Sequence, residues 1–222
     1  MIEIIVSTLA DARQAQAGGA DRLELVSALS EGGLTPSYGL IKTVMQQVDV
    51  PVHVMIRPHS KHFVYGIDEL SLMREDIKTT KKLGAQGVVL GTLTADNQLD
   101  TTALESLLDV CQGLDVTFHR AIDETDHVEA LNQLVNYPQI TSILTSGGLA
   151  KPIHENKMLI NQLCQRAGHI NILLGGGITE HNLPQLVSET RAQHFHLGTA
   201  VQTDGTVSAD KVSKIKALIA RR

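Results

Sequence analysis

Gly84-Ala85-Gln86-Gly87-Val88-Val89-Leu90 is a helix stop followed at once by an unbroken apolar, β-branched run. Gly19-Ala20-Asp21-Arg22-Leu23-Glu24-Leu25 is an equivalent joint 65 residues earlier, where a Gly-Ala pair again leads into a strand. A near-continuous apolar run belongs to a strand covered on both sides, as in a parallel sheet under helices. An echo at this interval is what two βα units per repeat produce. Working outward, further runs begin near Ile2, Val52, Val116, Ser142, Asn171 and Phe195, eight in all, at about one per 28 residues. Amphipathic stretches lie between them. Residues 9–17 read as a helix ending at Gly18-Gly19, which can take a left-handed cap. Thr35 before Pro36 reads as an N-cap and first helical position. A third helix starts at Asp68 or Ser71, runs to Leu83 and stops at Gly84. An open doubly wound sheet would carry a Gly-x-Gly-x-x-Gly turn after the first strand, where Ser7-Thr8-Leu9-Ala10 stands instead. The expected fold is α/β, a single (β/α)8 TIM-like barrel domain over 1–222.

Composition narrows the function classes. With no Trp and 3% aromatics, the core must come from Ile, Val, Leu and Ala. A net charge of −5 without a basic segment argues against nucleic acid as a partner. Met1-Ile2-Glu3-Ile4-Ile5-Val6 reads as a strand and not as a signal peptide, and no apolar run is long enough for a bilayer. Cys111 and Cys164 give no disulfide framework and fall on helices. The expectation is a cytoplasmic protein without a membrane partner.

In such a barrel the chemistry sits at the C-terminal ends of the strands. Those ends carry Glu24, Met55, Arg57, His119 and Arg120 (with Asp123 just beyond), Gly175-Gly176-Gly177 and His196-Leu197-Gly198-Thr199. Glycines after strands seven and eight expose backbone N–H groups, and these loops are the common phosphate site of barrels. Gly175, Gly176, Gly177, Gly198 and Thr199 are therefore candidate anion binders, with Arg57 and Arg120 beside them. The competing reading makes the glycines plain tight turns and the arginines structural partners of Glu24, on the strand next to Arg57. His119 is the candidate general acid–base, with Glu24 and Asp123 as carboxylate candidates. The neighbouring arginines are expected to keep both carboxylates ionised, which disfavours a glycosidase pair. No strand end carries a Lys for a Schiff base or a Cys nucleophile. The polar segment 57–66 is either a lid or an ordinary exposed loop.

Several segments together resemble the CutC family, known as copper homeostasis proteins. They are residues 18–25, 30–41, 54–58, 63–65, 73–77, 117–123, 144–147 and 175–178, in order along nearly the whole chain. The resemblance implies a cytoplasmic barrel that self-associates as a dimer or larger homo-oligomer, is involved in copper handling and has Cu(I) as its ion. Many relatives carry cysteines where this chain has Ile5 and Val26. The soft or imidazole donors left at the mouth are Met55, His119 and His196, the candidate metal ligands. The mouth set as a whole suits a small phosphorylated or carboxylated metabolite better than a soft metal.

Overall fold

The eight apolar runs close on themselves. The structure is a computed structural model that describes residues 1–220. Its strands are β1 (Ile2–Val6), β2 (Arg22–Leu25), β3 (Val52–Met55), β4 (Gly87–Leu90), β5 (Asp115–Phe118), β6 (Ile140–Thr145), β7 (Asn171–Leu174) and β8 (His194–Leu197). All neighbours are parallel, and β8 pairs back onto β1 through Ile2↔Phe195 and Ile4↔Leu197. The helices α1 (Leu9–Ala17), α2 (Tyr38–Met45), α3 (Ile67–Lys82), α4 (Thr101–Leu108), α5 (His127–Leu134), α6 (Lys157–Arg166), α7 (Leu183–Glu189) and α8 (Ala209–Ile219) follow the strands in turn. A hairpin of β9 (Gln202–Thr203) and β10 (Thr206–Val207) precedes α8.

Strand alternation divides the side chains into two sets. Ile4, Leu23, Leu25, Val54, Val88, Leu90, Val116 and Phe118 face the helices and join one apolar core. Each such side chain stabilises the fold by about 1.5–3 kcal/mol. The alternate positions point into the barrel, and many of them are polar: Glu3, Arg22, Glu24, His53, Thr117, Ser142 and His196 are all buried. Barrel interiors are more often filled by branched aliphatics. The apolar part of this interior includes a small cluster of Ile5, Val26, Met55 and Val89.

Two helix starts differ from the sequence reading. Thr35 is not a cap; its Oγ1 accepts the Arg57 amide at 2.9 Å, and Ser37 caps α2 by accepting from Leu40 N. The loop after β2 is thus tied to the end of β3 before the helix begins. α3 begins at Ile67 because Glu69 reaches back to the Gly66 amide at 2.8 Å. Three strands begin one or two residues earlier than their apolar runs, at Asp115, Ile140 and His194. Cys164 lies on α6, whereas Cys111 is buried just after α4 ends.

Candidate active site at the barrel mouth

The C-terminal ends of the strands enclose a cavity of about 510 Å³. Its lining includes Glu24, Met55, Arg57, Phe63, His119, Arg120, Gly176, Gly177, His196, Gly198 and Thr199. This volume lies within the usual range of small-molecule pockets.

Beneath the cavity runs a chain of buried charges. Arg22 Nε donates to Glu3 Oε2 at 2.5 Å, and His196 Nδ1 meets Glu3 Oε1 at 2.7 Å. His196 Nε2 then lies 3.7 Å from Glu24 Oε2. Burial would raise the Glu3 carboxyl, but Arg22 and His196 outweigh it and bring it down to about 2. Burial would likewise lower His196, and the Glu24 and Glu3 carboxylates hold it above its ordinary value instead. For Glu24, burial prevails and pushes the carboxyl up to about 7. Glu24 Oε1 has no hydrogen-bond partner. The expectation that arginines keep Glu24 ionised is therefore corrected, because its nearest ion-pair partner is His196.

Arg57 does not pair with Glu24 either. Its Nη1 donates to the carbonyls of Glu31 and Gly33 at 2.9 and 3.3 Å, and its Nη2 donates to Ser60 O at 3.3 Å. No carboxylate accompanies it among the described residues, and its Nε has no partner. Phe63 lies with its ring 4.7 Å from the Arg57 guanidinium and 4.7 Å from the His119 ring. Segment 57–66 thus delivers one aromatic to the mouth and is more than an exposed loop. Beneath Phe63, His119 is 3% exposed, and its Nδ1 accepts the Ala121 amide at 3.2 Å. That bond assigns the ring proton to Nε2, which has no partner. Burial and the Arg57 charge hold His119 down to about 3. The reading of His119 as an acid–base group near neutrality is corrected: it is a neutral N–H donor. Gly91 makes room for it, since a Cβ there would stand 2.6 Å from the ring.

Across the mouth, Arg120 Nε donates to Asp123 Oδ2 at 2.9 Å, leaving 42% of the arginine side chain exposed. Its guanidinium lies against Gly176, where φ is +89° and a Cβ would approach Arg120 Cζ to 2.9 Å. Only glycine suits that position. Among the described residues the amides of Gly176 and Gly177 have no acceptor. Gly175 is corrected from the anion-binding set: its amide donates to Thr145 O at 3.0 Å, extending the ladder beyond β7, and it does not line the cavity. Asp123 does not line it either. Its two oxygens accept from Thr145 Oγ1, Ser146 N, Ser146 Oγ and Arg120 Nε at 2.5–3.2 Å. Burial would raise its carboxyl, but His127 Nε2, 3.4 Å from Oδ1, and these donors together hold it well below the usual range. Asp123 is a brace for Arg120 and the loop after β6, not a proton carrier. Asp123→Asn places an amide among these donors and is expected to cost roughly 2–3 kcal/mol. Urea unfolding followed by circular dichroism measures this, and a loss under about 0.5 kcal/mol would remove the bracing role.

A family model described as CutC matches residues 1–201. The chain belongs to the CutC family. A human relative, described as a copper homeostasis protein cutC homolog, is 42% identical over 198 residues, covering 88% of this chain and 72% of the relative. A CutC family protein of Pasteurella multocida is 41% identical over 198 residues, covering 88% of this chain and 80% of its own. The crystal structure of a copper homeostasis protein CutC from Streptococcus agalactiae superposes with a TM-score of 0.86 at 38% identity, covering 91% of this chain and 99% of that one. Phosphoribosyl anthranilate isomerase from Thermococcus kodakaraensis, at a TM-score of 0.67, 15% identity and nearly full coverage of both chains, shares the fold alone.

The CutC relatives' names raise copper, and Cu(I) asks for soft donors. In this CutC chain Met55 lines the cavity but packs with Ile5, Val26 and Val89. The acceptor nitrogen of His119 is taken by Ala121, and both nitrogens of His196 face carboxylates. Neither cysteine lines the cavity. Met55, His119 and His196 thus share one cavity without offering Cu(I) a ready donor set. Glu3, Glu24 and His196 do place ligand atoms within 4.8 Å of one another, a harder set suited to a divalent ion. Arg22 on Glu3 and the raised His196 already balance that set with positive charge.

Proposed function

We propose that this CutC barrel binds a small phosphorylated or carboxylated molecule at its mouth, and that its part in copper homeostasis runs through that molecule. The single observation behind this reading is Arg57, 7% exposed, lining the cavity without a carboxylate partner among the described residues. A buried guanidinium without a counterion is costly, and an anionic ligand would supply the missing charge. Arg120 and the amides of Gly176 and Gly177 support the same reading from the opposite wall. Gly198 and Thr199 extend that wall at the end of β8. The place in copper homeostasis comes from the relatives' names. A cytoplasmic location and self-association into a dimer or larger assembly belong to the same proposal.

Calorimetric titration with inorganic phosphate and with citrate tests it. Arg57→Ala is expected to weaken binding about 10- to 100-fold, the worth of a charge-assisted hydrogen bond. The lost contacts to Glu31, Gly33 and Ser60 are read separately, from the melting temperature without ligand. Equal affinity in wild type and Arg57→Ala sinks the anion site. Stoichiometric Cu(I) uptake, tighter than by an unrelated histidine-containing control and lost on Met55→Leu, would return the mouth to direct copper binding.

A further inference from the structure

We propose that the mouth moves a proton at a carbon next to a carbonyl, with Glu24 taking and returning the proton and the His119 Nε2–H holding the oxygen. The substrate class is small anionic α-hydroxycarbonyl compounds. This proposal rests on the anion reading above and adds a reaction to it.

Two buried polar atoms on the cavity-lining residues stand without partners beside the unpaired Arg57. One is Glu24 Oε1, on a side chain that is 1% exposed; the other is His119 Nε2, on a ring that is 3% exposed. Buried polar atoms are normally satisfied, so an unsatisfied pair on one cavity is best explained by a ligand that completes both. The pair is chemically complementary to a hydroxycarbonyl group, since the carboxylate takes a proton and the imidazole N–H polarises a carbonyl. A neutral imidazole suits the second task because it donates a hydrogen bond without giving up its proton outright. Schiff-base chemistry and covalent catalysis through a thiol or a seryl oxygen lack their groups, since no Lys, Cys or Ser lines the cavity.

The step balances without a further reactant. The Glu24 carboxylate removes the proton from the hydroxyl-bearing carbon. The C–H electron pair forms a carbon–carbon double bond, and the carbonyl electrons move onto oxygen. The resulting enediolate oxygen is held by His119 Nε2–H. The hydroxyl proton then passes to that oxygen, the second oxygen re-forms a carbonyl, and Glu24 delivers its proton to the neighbouring carbon. His196 is a positioning residue, as Glu3 fixes its Nδ1 and its Nε2 faces Glu24.

Proton NMR in D2O, with dihydroxyacetone phosphate and ribose 5-phosphate as probes, tests the proposal. Wild type is expected to introduce deuterium at the carbon next to the carbonyl, and uncharged dihydroxyacetone is expected to exchange far more slowly. Glu24→Gln, purified in the same way, is expected to slow exchange at least about 100-fold, with affinity within about threefold of wild type. Should that variant not fold, Glu24→Asp keeps the carboxyl but withdraws it by one methylene, and roughly tenfold slower exchange is expected. Binding without exchange in wild type overturns the proton transfer and leaves the anion site standing. Exchange undiminished in the Glu24 variant overturns the role of Glu24. Absence of binding by both probes overturns the proton transfer, and the anion site falls with it only when inorganic phosphate and citrate also fail to bind.

Discussion

Glu3→Gln is expected to lower the unfolding free energy by about 3–5 kcal/mol, the usual cost of removing one member of a buried ion pair. The substitution keeps the shape of the side chain, so the loss is not that of a cavity. It removes the charge that Arg22 and His196 share deep in the barrel. Arg22 has no other carboxylate partner among the described residues, and its Nη2 is already unsatisfied. The guanidinium would be left buried and uncompensated. Adding Arg22→Met is therefore expected to recover part of the loss, since a missing pair costs less than half of one. Urea unfolding at neutral pH measures both. A single variant within about 1 kcal/mol of wild type would show that the charge chain contributes little to stability.

Acidification from about pH 6.5 to 3 is expected to unfold the barrel, with His53 and His119 as the main cause. For both rings burial is the largest effect, reinforced by Arg22 for His53 and by Arg57 for His119. Each titrates near 6.5 in the unfolded chain and near 3 in the barrel. Between those values the unfolded chain binds protons that the native state refuses, so stability falls as pH falls. Each ring contributes up to about 5 kcal/mol across the window. Glu3 acts in the same sense lower down, between its ordinary 4.5 and about 2. Glu24 opposes them: held near 7, it binds its proton in the native state first, so its own share of stability rises as pH falls from 7 to 4.5. His53→Gln and His119→Gln should each flatten the fall of unfolding free energy between pH 6 and 4 by nearly one proton. An unchanged slope in the double variant would exclude these rings as the acid-labile groups.

The barrel was legible because its signal is local. Apolar runs such as 87–90 and the glycines after α1 and α3 need only their neighbours to be read. The glycines and arginines of the mouth were legible because strand ends locate them. The partner of Arg57 was not. Adjacent strands suggested Glu24, but Glu24 is level with His53 in the sheet, and Arg57 stands four residues further along β3 and its extension, roughly 13 Å away. Gly175 looked like its two neighbours until the ladder claimed its amide. The ionisation of His119 was out of reach because it depends on Phe63 and Arg57 arriving from a different loop. Glu3 and Arg22 were hidden inside runs read as apolar. Parity held the missed signal, since Glu3 alternates with Ile4, and Arg22 with Leu23, onto the face that carries Glu24 and His196.

The protein contains no Trp and only three Tyr, so its ultraviolet emission is dim and lies at short wavelength. Phe63 touches both Arg57 and His119 while remaining partly open to solvent. Phe63→Trp would place a lone indole fluorophore over the cavity, where its colour and intensity would report occupancy in real time. Fast-mixing experiments would then yield association and dissociation rates for any colourless compound offered to the barrel.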